Sequence, residues 1–387
     1  MTVFGTGAWL GWASVAHAQV NLPEGFELVE FGFSERFTDV PRINNCGQVV
    51  FGKKLNEGDH GWVLYLYDNG SIREIVRENK GHIPAPDIND HGTIVYMTGI
   101  VNDFESERLV LLENRRTTKL GRGAYPSINN NGVVAATVFQ RMGCAEESNV
   151  FLFHDGRRTR LTRNGFYEQA VRLNDREEVT WTQFDFCQGP WVSEIPLYSN
   201  GEITLLPSEA TQRQLSDISN RTQVVWSSPL GVESWLDGET TLIADWGTGP
   251  SVNDLGDIIF NRWDLETEAL DWWLYRIVGG EPVLYRLTYD PIEDTLGDIN
   301  NWTEAVVRTT AGNGILGGGV RFLRRVRTGD SEFDGDVDRV DYRALAECMT
   351  GPGRVRGLCN CRFLDIDHDG DVDLGDFARF QNAFTGG

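Results

Sequence analysis

Residues 365–376 read Asp-Ile-Asp-His-Asp-Gly-Asp-Val-Asp-Leu-Gly-Asp, with carboxylates at loop positions 1, 3, 5, 9 and 12 and Gly370 at position 6. A hard dication such as Ca²⁺ takes roughly six to eight oxygen ligands, and a loop wrapped around it needs a sharp central turn that glycine supplies. On this spacing Asp365, Asp367 and Asp369 give side-chain oxygens and Asp371 gives its backbone carbonyl. Asp373 binds directly or through water, and Asp376 closes the loop. A second copy runs from Asp330 to Asp341, with Glu332, Asp334, Asp336 and Asp338 at the ligand positions between and Gly335 at the turn. The longer Glu332 crowds the ion at position 3, so two Ca²⁺ sites are expected and the second is the stronger. Magnesium rarely accepts an all-protein cage, which favours calcium.

A short amphipathic stretch follows each loop and is expected to be helical. Tyr342, Leu345, Ala346 and Met349 share one face of the first, and Phe377, Phe380 and Phe384 share one face of the second. No helix is expected before either loop. The question is what the preceding 300 or so residues position or present.

They belong to a chain of 387 residues carrying a formal charge of −22, with 57 acidic residues against 35 basic ones. That balance excludes a nucleic-acid backbone as partner. The start, MTVFGTGAWLGWASVAHAQ, has an apolar run from Val3 to Val15 and then Ala16-His17-Ala18 before Gln19. This reads as a signal peptide over residues 1–18, cleaved near Ala18-Gln19, and hence as a secreted protein. No other stretch approaches the ~20 apolar residues of a membrane span. The six cysteines, Cys46, Cys144, Cys187, Cys348, Cys359 and Cys361, form no CxxC pair, so disulfides are expected rather than a zinc ribbon.

One phrase recurs through the body of the chain. It is clearest as Ile43-Asn44-Asn45-Cys46-Gly47, Ile88-Asn89-Asp90-His91-Gly92 and Ile128-Asn129-Asn130-Asn131-Gly132. Degraded copies stand at Leu173-Asn174-Asp175 and Ile218-Ser219-Asn220, and Val252-Asn253-Asp254 and Ile299-Asn300-Asn301 complete seven, spaced 45, 40, 45, 45, 34 and 47 residues apart. Periods of this length mark propellers and solenoids. Within each unit an apolar strand, a tight Asn/Asp-Gly turn, a β-branched strand, a variable loop, an aromatic strand, a second tight turn such as Asp68-Asn69-Gly70 and a last strand follow in order. Four antiparallel strands per unit make one propeller blade, so the fold class is mainly β: a seven-bladed β-propeller over residues 25–327, with a small helical calcium-loop module over 330–387. The seventh unit lacks a fourth strand, and the orphan segment Phe26–Phe31 is expected to supply it and close the ring.

The variable loops, 98–107, 139–148, 183–194 and 262–271, fall on the face opposite the tight turns and are the expected seat of recognition. Cys144 and Cys187 occupy equivalent loops of neighbouring blades and are the favoured disulfide there. Trp191 and Trp263, in or near such loops, are the candidate ligand-binding aromatics. Most of the other tryptophans of the second half, a group that includes Trp246, sit at strand positions and are expected to pack between blades. Asp103, Glu105, Glu107 and Asp264 are the acids near these loops, and nothing in the spacing aims them at one another. No HExxH, GxSxG or P-loop occurs.

The Asp87–Val95 phrase resembles the extracellular bacterial propeller repeats built on Asp-Ile-Asn-x-x-Gly-x-Val-Val, a likeness that covers residues 25–327 and implies a fold more than a function. Asp330–Phe384, with two loop-plus-helix halves, resembles the type I dockerin module. That resemblance implies attachment to a cohesin-like or other scaffold or surface protein. It also implies that loop positions 10 and 11, here Arg339-Val340 and Leu374-Gly375, help choose the partner. They depart from the frequent Ser-Thr pair, and Cys348 with Cys359 or Cys361 would tie the halves together. The reading is of a monomeric, non-catalytic binding or display protein, with carbohydrate a candidate ligand. The alternatives are a polysaccharide-active hydrolase or lyase carrying the same tail, and a purely structural surface component.

Overall fold

A computed structural model describes residues 21–33, 39–55, 61–79, 81, 85–100, 103, 105–142, 145–185, 193–208, 215–311, 318–326, 328–331, 336–349, 359–367, 369 and 371–385. Seven antiparallel sheets follow one another along the chain. Their innermost strands are Arg42–Ile43, Asp87–Ile88, Ala124–Ile128, Tyr167–Leu173, Ser216–Ile218, Gly247–Val252 and Ile292–Ile299. Each ends in the recurrent phrase. Every sheet has four main strands in meander order, and the fourth carries one extra short strand, Ser193–Glu194. This is a seven-bladed β-propeller.

The seventh sheet contains Ile292–Ile299, Ala305–Ala311 and Gly318–Arg325, and its outermost strand is the N-terminal Phe26–Phe33. Their antiparallel register runs unbroken from Phe26↔Arg325 to Phe33↔Gly318. The orphan strand therefore closes the ring as the sequence implies, and leaves the last sheet no bare edge at that position.

Apolar side chains from neighbouring blades meet in separate clusters around the ring. Trp181 packs with Val150 and Val171, Trp226 with Ile195 and Leu197, and Trp272 with Ile299 and Leu323. Each of these three tryptophans is fully buried. The outer hairpin turns carry positive φ at both central residues, as at Asn69-Gly70, Asp155-Gly156, Asn200-Gly201 and Asp237-Gly238. That is the turn geometry matching the twist of the flanking strands, and it explains the Asn/Asp-Gly composition. Asn114-Arg115 and Gly279-Gly280 adopt it too.

Two blade junctions share an Arg-Leu-Thr clasp. Thr162 Oγ1 accepts the Val150 N–H and donates to Glu168, and Thr288 Oγ1 accepts the Trp272 N–H and donates to Asp294. Burial pushes both carboxyls up to about 7. The preceding arginines hold equivalent strand positions, Arg160 with Asn149 and Arg286 with Asp271.

Two helices, α1 (Arg339–Cys348) and α2 (Leu374–Ala383), follow the two acidic loops. Each starts with a reciprocal cap, Asp338 with Asp341 and Asp373 with Asp376. Val337, Leu345, Cys348, Cys361, Leu364, Val372 and Phe380 form their shared core. The buried face of α1 is Asp341, Leu345 and Cys348, whereas Tyr342 and Ala346, grouped with Leu345 on one face from the sequence, are exposed. Phe384 is exposed as well, because α2 has ended by then. A single 3₁₀ turn, Cys359–Phe363, precedes the second loop where no helix was expected. The disulfides joining described residues are Cys348–Cys361, which ties the halves, and Cys46–Cys359, which joins the module to the first blade. Cys144 and Cys187 lie outside the described residues. Disulfides of this kind suit an oxidising, extracellular environment. Among the described residues no helix is long and apolar enough to cross a membrane.

Candidate functional site

The second acidic loop folds around its own carboxylates. Ligand-type oxygens of Asp365, Asp367 and Asp369 lie within 4.8 Å of one another, as do those of Asp371, Asp373 and Asp376. The position-12 carboxylate straps the loop: Asp376 Oδ1 accepts the Ile366 and Asp367 N–H groups and Oδ2 accepts that of Asp373. Burial and the neighbouring acids Asp376 and Asp369 push Asp367 up, and burial likewise pushes up Asp376. Asp367 Oδ1 is buried without a hydrogen-bond donor among the described residues. A cation would satisfy that oxygen and relieve the crowding of like charge. In the first loop Asp336, Asp338 and Asp341 converge, and Asp341 straps Ser331 and Asp338 in the same manner. Asp330 is described beside them, while Glu332, Asp334 and Gly335 lie outside the described residues. These clusters could hold metal ions.

The module sits against the tight-turn face of the propeller. Arg362 pairs with Glu304 and Phe363 meets Trp302 edge-on at 4.9 Å, both partners belonging to blade seven. Cys359 is bonded to Cys46 of blade one, and Asp365 accepts a 2.7 Å hydrogen bond from Asn69 of the same blade. Gly47 is glycine for a second reason besides its φ of +68°: a Cβ there would lie 1.6 Å from Arg362 Nη1.

That face also surrounds one mouth of the central channel, where the seven phrases build two hydrogen-bonded circles. In the inner one the first Asn folds back on its own turn, Asn44 Oδ1 accepting the Cys46 and Gln48 N–H groups. Its amide reaches the next blade: Asn44 to Asn89 O, Asn89 to Asn129 O, Asn129 to Asn174 O, Asn174 to Ser219 O, Asn253 to Asn300 O and Asn300 to Asn44 O. Ser219 interrupts the series. In the second circle the next residue alternates, Asn45, Asp90, Asn130, Asp175, Asn220, Asp254, Asn301. Each backbone N–H donates to the Oδ1 of the following member at 2.6–2.9 Å. Each Asp Oδ2 accepts amides from both flanking Asn residues. Every carboxylate is thereby held between two donors. One layer deeper lie Arg42, Asp87, Arg172, Asp217 and Asp298. Burial raises Asp298 to about 7 against the pull of Arg42, with Asp217 and Asp87 adding to the rise.

The opposite face carries the loops expected to vary. Trp263 is 47% exposed there, and Trp191 lies outside the described residues. Trp246, expected to pack between blades, is instead 77% exposed. The ladder between Gly247–Val252 and Ile258–Asp264 ends at the pair Gly247↔Arg262, so Trp246 and Trp263 stand one residue beyond it on facing chains. Exposed Leu230 and Leu265 flank them, and Arg262 bonds Asp245 at 2.6 Å beside them. The signal for Trp246 was its place between two strands rather than within one.

Among the described residues the acids near this face do not form an open pair. Asp103 caps its own loop through the Glu105 N–H, and Arg108 holds the Glu105 and Glu107 carbonyls. Asp264 and Asp271 both reach Arg286. Burial raises Asp271 to about 6, whereas for Asp264 the Thr267 and Glu266 N–H groups and Arg286 outweigh desolvation and hold it below the usual carboxylate range. Asp271 is fully buried.

No protein-family model matches the chain, and no curated protein matches it. Solved structures do. A streptogramin B lyase superposes with TM-score 0.54 at 15% identity, over 78% of this chain and 98% of the other. The β-propeller domain of the Trilobed protease from Pyrococcus furiosus gives 0.53 at 10% identity, over 75% and 97%. A Mycobacterium tuberculosis puromycin-hydrolysing peptidase gives 0.52 at 12%, over 75% of this chain and 52% of its own. What is shared is the fold. At such identities it carries no activity across. The Pyrococcus domain is described as having an open velcro topology, whereas here Phe26–Phe33 pairs fully with Gly318–Arg325.

Proposed function

We propose that the chain is a secreted, non-catalytic binding and display protein. Its variable-loop face recognises a ligand and its C-terminal module, loaded with Ca²⁺ at both loops, attaches it to a scaffold or surface protein. One observation carries the reading: the module occupies the tight-turn face, which leaves the exposed Trp246–Trp263 pair on the opposite face. Recognition and attachment thus point in opposite directions. Exposed indole faces beside a polar ion pair suit the stacking of sugar rings, so carbohydrate is the proposed ligand class. In the module, Val340 and Leu374 are exposed, Leu374 to 71%, with Tyr342 nearby on α1. Val340 and Leu374 are among the positions that the dockerin resemblance gives to partner choice, and their apolar character suits an apolar partner surface unlike the Ser-Thr type.

The hydrolase or lyase reading has one observation in its favour, the Asp264–Asp271 pair with acidities pushed apart. Against it, Asp271 is fully buried, and the equivalent Arg160–Asn149 contact supports a structural role for the arrangement. The test is a polysaccharide and glycan panel scored for both binding and cleavage. Binding lost in Trp246→Ala and Trp263→Ala without product formation supports display. Product formation abolished by Asp264→Asn would replace that reading with the enzyme.

A further inference from the structure

The second acidic loop is not self-contained. Asp365 stands at loop position 1 and is 2% exposed. Its Oδ1 accepts the Asp369 N–H from within the loop at 3.1 Å, and its Oδ2 accepts the Asn69 amide at 2.7 Å. Asn69 lies 296 residues away in sequence, in the outer hairpin turn of blade one. The six residues before Asp365 are fixed to the propeller as well, through Cys46–Cys359, Arg362–Glu304 and Phe363–Trp302. These anchors fall on blades one and seven, the two blades that meet where the ring closes.

We infer that Asn69 is a positioning residue for the cation of the second loop, supplied by the propeller, so that cation binding and the clasp across the blade-one/blade-seven junction form one coupled equilibrium. The inference rests on the calcium reading of that loop. A carboxylate ligand held by an outer hydrogen bond keeps its orientation, and removing such a partner typically weakens metal affinity about 10–100-fold. Coupling is reciprocal, so the bound cation strengthens the Asn69–Asp365 contact by the same factor. The module then acts as a second closure of the ring, beside the Phe26–Phe33 strand, and calcium tightens it.

The test uses the full chain with its disulfides intact, freed of metal by chelator and titrated with Ca²⁺ by calorimetry. Asn69→Gly deletes the amide yet suits the turn, where φ is +46°. Asn200→Gly makes the same change in an equivalent turn whose amide reaches Ser199, and serves as the folding control. Asn69→Gly is expected to weaken one site about tenfold or more and leave the other, while Asn200→Gly leaves both. Calcium should also slow amide exchange at residues 359–366 in the wild type and much less in Asn69→Gly. Affinities of Asn69→Gly within about twofold of wild type, or exchange at 359–366 indifferent to calcium, overturn the coupling and leave the calcium sites standing. A wild-type chain that binds no calcium overturns both.

Discussion

Ser219 breaks the inner circle of amides, and restoring it measures what the circle is worth. In the other six blades an Asn at this position accepts two N–H groups of its own turn and donates to the next blade's carbonyl. Ser219 keeps the same turn, its N–H bonded to Gln223 O and its carbonyl accepting the Thr222 N–H and the Asn174 amide. Its hydroxyl accepts the Arg221 N–H at 3.3 Å and reaches neither the Gln223 N–H nor the Asn253 carbonyl. Ser219→Asn therefore adds two hydrogen bonds to a preformed frame. At a net ~0.5–1.5 kcal/mol each, less the cost of ordering one more buried side chain, the gain is about 1–2 kcal/mol. For a domain of some 300 residues that raises the melting temperature by about 2–3 °C. Urea and thermal unfolding at saturating calcium would read it. The reverse change, Asn129→Ser, keeps the bond from the Asn131 N–H as Ser219 keeps that from Arg221, and loses those to the Val133 N–H and the Asn174 carbonyl, so it should cost about 1–3 kcal/mol. A Ser219→Asn protein no more stable than wild type, together with an Asn129→Ser cost below about 0.5 kcal/mol, would show that the circles follow the fold rather than hold it.

Other outcomes are expected on the same physical grounds. Glu168 holds its proton to about pH 7 in the folded chain because it is buried, while unfolded it ionises near 4.5. Its contribution is therefore fully present below about 4.5 and lost as pH rises through 7, by roughly 3 kcal/mol. Glu168→Gln should remove that decline from urea midpoints compared at pH 5 and 8. Gly47→Ala should displace Arg362 from Glu304 and speed amide exchange at 359–365, and at a φ of +68° it should also strain the blade-one turn by about 1 kcal/mol. Glu177 holds φ +60° in an exposed turn where four other repeats have glycine, so Glu177→Gly should stabilise by about 0.5–1 kcal/mol in the same unfolding assay. Chelation should lower the melting temperature of the wild type, and added calcium should restore it.

The propeller was legible because each blade repeats its turn chemistry. Ile-Asn-Asn/Asp-x-Gly sets the inner hairpin and Asp/Asn-Gly the outer one, and seven copies count the blades. The degraded copies were harder. Glu177, Thr222 and Thr303 adopt positive φ without glycine, because the turn headed by Asn174, Ser219 or Asn300 and the neighbouring blade hold the backbone there. Which residues a packed neighbour requires was not legible. Asn69 reads as a turn residue and acquires its contact to Asp365 from the docking of a module some 300 positions on. Cys46 reads as a variable turn position and is paired with Cys359, 313 residues further along the chain. Trp246 looked like packing because its neighbours are strand residues, yet it falls between two strands and points outward. The alternation of Asn and Asp in the second position was visible in the seven copies, but its meaning required the ring to be closed.

That alternation has a parity. Seven members cannot alternate all the way round, so one pair of like groups must meet. With four carboxamides and three carboxylates the meeting falls to Asn301 and Asn45, where an N–H to Oδ1 bond of 2.8 Å accommodates it. Four carboxylates and three carboxamides would have placed two charges side by side at that point. The misfit is neutral, and it falls at the junction where the two ends of the propeller chain join.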